Sequence, residues 1–124
     1  MRVVTWGVLM AIVQATTTAG SAADASSANF MLPYCKLTAE QASASAIQAL
    51  LLGQCQGIVE TISQLHRARL VGDRGLCADI PDSVTHAQLV QSVVRYGELH
   101  PDETHKPFWM FVLGAMRNAW PCKN

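Results

Sequence analysis

Residues 42–70 read ASASAIQALLLGQCQGIVETISQLHRARL, and nothing in them alternates with the two-residue period of a strand. Ile47, Leu50, Leu51, Ile58, Ile62 and Leu65 recur at three- and four-residue steps, which leaves Gln48, Gln56, Glu60, Gln64 and Arg67 mainly outward. That spacing predicts a long amphipathic helix. Ser43, Ser45, Gly53 and Gly57 are weak helix formers, so the helix is open to a break into two pieces. Just upstream, Thr38-Ala39-Glu40-Gln41 has the pattern of a capping box. The Thr and Gln side chains can satisfy each other's orphan amides, so helix is expected to follow.

Working outward, Gly72-Asp73-Arg74-Gly75 reads as a turn, and Cys77 to Asp82 as irregular chain that ends the loop. Thr85-His86-Ala87-Gln88 is a second capping-box pattern. It opens a helix with the apolar face Leu89, Val90, Val93, Val94 and Tyr96, stopped by Gly97 and then Pro101. A last helix starts near Thr104 to Pro107 and carries Phe108, Trp109, Phe111, Val112, Ala115, Met116, Ala119 and Trp120 before Pro121 ends it. The class is all-α: a small helical bundle of three main helices, plus a short N-terminal helix if the long one breaks. Short loops make sequential helices antiparallel.

Residues 1–23 have the three parts of a signal peptide: Arg2, an apolar stretch from Val3 to Val13, and small residues at Gly20-Ser21-Ala22-Ala23. Cleavage is expected after Ala23, with Ala22 and Ala25 as alternatives. The apolar run is about half the ~20 residues that span a bilayer, so no membrane attachment is expected after cleavage. Residues 24–32 read as small and polar with no periodicity, and residues 24–34 are expected to form a flexible N-terminal segment. Residues 35–124 then form one domain.

Removing Arg2 leaves 8 Lys and Arg against 9 Asp and Glu, a net charge of −1. No basic run or basic–aromatic stripe is present, so nucleic acid and anionic membrane surfaces are poor partners.

All four cysteines, Cys35, Cys55, Cys77 and Cys122, lie downstream of the leader, where an oxidising compartment pairs them. Four cysteines allow three connectivities. If the last two helices lie antiparallel, Cys122 after one is near Cys77 before the other. This favours Cys77–Cys122 and leaves Cys35–Cys55. Closing each loop stabilises the fold by roughly 3–4 kcal/mol in the chain-entropy model.

The residues do not assemble a recognisable catalyst. Nothing places His66, His86, His100 or His105 beside Cys77, and an oxidised cysteine cannot attack. There is no Cys-x-x-Cys, and His100 and His105 are interrupted by Pro101, so no metal is implied. Glu60 has no carboxylate partner for acid–base work, which favours a solvated or salt-bridged role. The chain therefore reads as non-enzymatic and without a cofactor. Gly53 and Gly57 flank Cys55 as a small-xxx-small pattern, which is expected to let a second helix or the disulfide approach the backbone. Phe108, Trp109 and Phe111 cannot all point one way on a helix. At least one is expected to be exposed or buried in a dimer, so Phe108 or Trp109 is a candidate self-association residue.

The order Gly53-x-Cys55-x-Gly57, Cys77…Ile80-Pro81, Val84-Thr85-x-x-Gln88-Leu89-Val90, Val93-Val94-x-Tyr96, His100-Pro101 and Ala115…Ala119-Trp120-Pro121-Cys122 resembles the Rap/Tai immunity proteins of type VI secretion. The resemblance covers about residues 35–122. There are departures: Ala78 and Asp79 separate Cys77 from Ile80-Pro81, Trp120 replaces a usual Phe, and Thr61 stands where a further Gly is usual. The resemblance implies a periplasmic, often dimeric all-α protein that binds and blocks a secreted effector toxin. In characterised relatives that toxin is a peptidoglycan amidase whose cleft is covered. The shared residues Gly53, Gly57, Pro81, Thr85, Gln88, His100, Pro101, Pro121 and the four cysteines carry structural roles and do not mark the toxin-binding surface. The competing reading is a small periplasmic stress or chaperone-like helical protein that exposes apolar surface by acid-triggered dissociation, which the four His and nine acidic residues permit without demanding.

Overall fold

The computed structural model describes residues 26–71 and 76–123. The expected leader and the turn at 72–75 lie outside the described residues. Five helices and no strand occur among them: α1 (Ala28–Cys35), α2 (Ala39–Ala42), α3 (Ala46–Arg67), α4 (His86–Leu99) and α5 (Phe108–Ala119).

Both capping boxes form. Thr38 Oγ1 accepts from Gln41 N at 3.2 Å while Gln41 Oε1 accepts from Thr38 N at 2.9 Å. Thr85 and Gln88 repeat the exchange at 3.3 and 2.9 Å. The break in the long helix falls at residues 43–45, where Ser45 caps α3 anew. Ser43 turns its hydroxyl back to the Glu40 carbonyl at 2.6 Å, the competition with regular helix expected of a serine. Gly53 and Gly57 do not interrupt α3.

Residues 28–34 correct the expectation of a flexible segment. Ser27 caps α1, and Ala28, Met31, Leu32 and Cys35 are buried at i, i+3, i+4 and i+7. Ala28 N donates to Lys106 O at 3.0 Å and Asn29 N to Thr104 O at 2.8 Å, which ties α1 to the chain entering α5. Pro33 inside the helix removes one backbone bond. Packing against α3, α4 and α5 outweighs that loss.

The face of α3 is also rotated from the expected one. Leu52, Cys55, Val59, Ile62, Ser63 and His66 are buried, whereas Ile47 and Leu50 are 68% and 70% exposed. Cys55 is bonded to Cys35, and this cross-link sets which stripe of α3 faces α1. The core is completed by Leu89, Val93 and Tyr96 from α4 and by Phe108, Phe111, Val112, Ala115 and Met116 from α5.

Gly97 does not stop α4, which runs on to Leu99. A Cβ there would stand 2.6 Å from Leu32 Cδ1, so this glycine is the seat on which α1 lies. His100 ends α4, and Pro101–Glu103 form a 3-10 turn leading to α5. The α3–α4 connection is long rather than short. Ala78 and Ile80 anchor it in the core, and Arg67 Nη2 donates to Val84 O at 3.1 Å and Pro81 O at 3.4 Å.

Candidate functional site

The cysteines pair as Cys35–Cys55 and Cys77–Cys122, each with Cα atoms 5.6 Å apart. The first clamps α1 to α3. The second joins the α3–α4 connection to the chain beyond α5. Beside it, Ala78 pairs with Pro121 in an isolated antiparallel bridge, and Asp79 N donates to Trp120 O at 2.8 Å. All four sulfurs are consumed, so no thiol nucleophile exists here.

Among the described residues, Gly53 and Gly57 seat no helix. A Cβ at either would meet nothing within 4 Å. Close packing falls instead to Gly97 and to Gly114, whose added Cβ would touch Tyr96 Oη at 3.3 Å. Gly53 and Gly57 sit on the solvent side of α3, in a stretch from Ala46 to Val59 without a charged residue. Glycine inside a helix costs about 0.5–1 kcal/mol relative to alanine. Gly53→Ala and Gly57→Ala are therefore each expected to raise the urea midpoint of the isolated protein. A fall would mean that these positions are covered in solution.

Of the two candidate association residues, Phe108 is excluded by burial at 2% exposure. Trp109 is 54% exposed and Met110 beside it 44%. The broad apolar surface of α5 thus divides between core and solvent, because residues one apart lie 100° apart on a helix.

Polar side chains form two networks. Glu60 accepts from Gln64 Nε2 at 2.7 Å and meets His86 Nδ1 at 3.0 Å, linking α3 to α4. The Gln64 and His86 contacts hold its carboxyl below the usual value. Tyr96 Oη donates to Glu103 Oε2 at 2.8 Å, and burial together with that carboxylate pushes the phenol up to about 12. Lys106 completes this group at 3.2 Å from Glu103, and the Tyr96 and Lys106 contacts keep Glu103 low. The His100 ring lies 4.3 Å from that of Tyr96, so His100 and Pro101 close the α4 end of the network. These groups brace helix ends. Among the described residues, no three His, Cys, Asp or Glu side chains gather as a metal site.

The sequence did not single out the cleft at the end of α3. It holds about 460 Å³ and is walled by His66, Arg67, the Cys77–Cys122 bridge and Ile80, with Arg69 and Asp79 among its other lining residues. His66 is the signal that was readable in retrospect. It continues the buried series 52, 55, 59, 62 by one more four-residue step.

Among the described residues, no helix is long and apolar enough to cross a membrane. No curated protein and no solved structure matches the sequence. The model of one family, the Rap1a immunity proteins, matches residues 10–122. With that match spanning both disulfides and all five helices, the chain belongs to the Rap1a immunity protein family.

Proposed function

We propose that this protein is exported to the periplasm, where it binds and neutralises a type VI effector that cuts peptidoglycan as an amidase. The family match over residues 10–122 carries the reading. The two disulfides support the compartment, since such bonds persist where thiols are kept oxidised. Sequence resemblance alone supports an amidase as the target. The protein acts by occupying the toxin, not by chemistry of its own. Its free form is a homodimer that buries Trp109, a large aromatic left 54% exposed outside the core.

A rescue assay tests this. The protein is co-expressed with the effector encoded beside it, directed to the periplasm, and the pair is sedimented. Cells are expected to survive, and a stable complex is expected. Lysis as complete as without the protein, with no complex formed, would remove the assignment for that toxin. A wild-type protein that sediments as a monomer would remove the homodimer.

A further inference from the structure

His66 lies in the last turn of α3 with 4% of its surface exposed, and neither ring nitrogen has a hydrogen-bond partner. The Val71 backbone acts on the ring and favours its protonated form, but not in a geometry that satisfies either nitrogen. The next residue, Arg67, spends Nη2 on Val84 O and Pro81 O, while its Nε–H is buried and unpartnered too. Buried polar groups are paired in almost all native structures, so adjacent orphans call for a reason. Both residues wall the cleft that the Cys77–Cys122 bridge closes on its far side.

What is missing is an acceptor. Arg67 can only donate, and His66 donates from at least one nitrogen. Arg69, exposed at the rim with a left-handed backbone (φ 56°), adds a second guanidinium. The carboxyl end of α3 disfavours an anion, and the two arginines offset that field. Asp79 and Asp82 also line the cleft and are exposed. They repel a multiply charged anion and leave room for a single carboxylate.

We propose that this cleft receives one carboxylate group, which accepts hydrogen bonds from the His66 imidazole and the Arg67 guanidinium. The group comes from an Asp or Glu side chain of the toxin or from a small free monoacid. The first source rests on the immunity reading; the cleft itself does not. The orphaned nitrogens are shielded from water, so engagement takes a rotation of the imidazole and a shift of the Arg67 guanidinium toward the cleft. The new hydrogen bonds drive both.

Burial holds His66 below its ordinary value of 6.5. Among the described residues, the charged groups that line the cleft with it are Arg67, Arg69, Asp79 and Asp82. A bound carboxylate stabilises the protonated ring and moves the titration upward.

The test follows the His66 ring by NMR in the full protein. Acetate, a blocked glutamyl tripeptide and its glutaminyl control are titrated at fixed ionic strength. The glutamyl peptide is expected to shift the ring saturably and raise its titration midpoint, whereas the control does neither. His66→Leu removes the donor and an orphaned polar group together. Its melting temperature is expected to match or exceed that of wild type, while its affinity for the toxin falls about tenfold or more. Should that variant fail to fold, Arg69→Gln at the exposed rim is measured instead. A response to acetate and peptide without any toxin complex assigns the cleft to a free carboxylate and leaves the immunity reading to fail alone. If carboxylates move His66 no more than the control, and the variants bind toxin as wild type does, the proposal is overturned.

Discussion

Replacing Cys77 and Cys122 together with serine is expected to lower the melting temperature by on the order of 20 °C. The bridge spans 45 residues, and opening a loop of that length releases about 4 kcal/mol of unfolded-state restraint. Each kcal/mol moves the midpoint of a domain this small by about 4–8 °C. The loss is also structural, because the bridge holds the α3–α4 connection beside the chain after α5. Without it that connection keeps the Ala78–Pro121 bridge, the Arg67 contacts to Val84 and Pro81, and the burial of Ala78 and Ile80. Thermal unfolding of the double variant, followed by circular dichroism, measures the sum. A midpoint within a few degrees of wild type would show that those non-covalent contacts suffice.

Phe111→Ala is expected to cost about 3–5 kcal/mol, a large share of the ~5–15 kcal/mol that holds a typical domain folded. Phe111 has no exposed surface and meets the Tyr96 ring edge-on at 5.1 Å. Its ring tip also lies 3.5 Å from where a Cβ on Gly97 would stand, at the seat of α1 on α4. Truncation opens a cavity where α1, α4 and α5 meet, beside the Leu32–Gly97 contact that seats α1. Equilibrium urea unfolding reads the cost directly. A loss below about 1 kcal/mol would mean that the site relaxes, and would remove α1 from the cooperative core.

The readable parts of the fold are those written locally. Two Thr-x-x-Gln boxes announced α2 and α4, since each is complete within four residues. Antiparallel α4 and α5 pointed to the observed cysteine pairing through simple geometry. Helix α1 was missed although Ala28, Met31, Leu32 and Cys35 carry a helical spacing, because Pro33 and a brief polar lead-in masked it. The face of α3 was misread for a different reason. The helix is apolar on more than one side, so periodicity offered two faces and could not choose between them. Gly53 and Gly57 show the same limit, for no described residue packs against them. A small residue permits close approach but does not summon a neighbour. The candidate cleft was least legible, for His66 and Arg67 meet the Cys77–Cys122 bridge only after distant segments are brought together.

The sequence by itself determined that this chain is helical, where α2 and α4 begin, that its cysteines are cross-links, and which family pattern it carries. Those features depend on neighbours a few residues apart or on a pattern of residue types along the chain. Tertiary structure alone decided that α1 completes the core, that α3 buries the stripe through Cys55 and His66, that Phe108 is inside and Trp109 outside, and that the His66 ring nitrogens and the Arg67 Nε–H are buried without hydrogen-bond partners beside a cleft. Burial depends on which surfaces meet. That is fixed by the summed packing of Gly97, Leu32, Phe111 and the two disulfides, not by any one segment read alone.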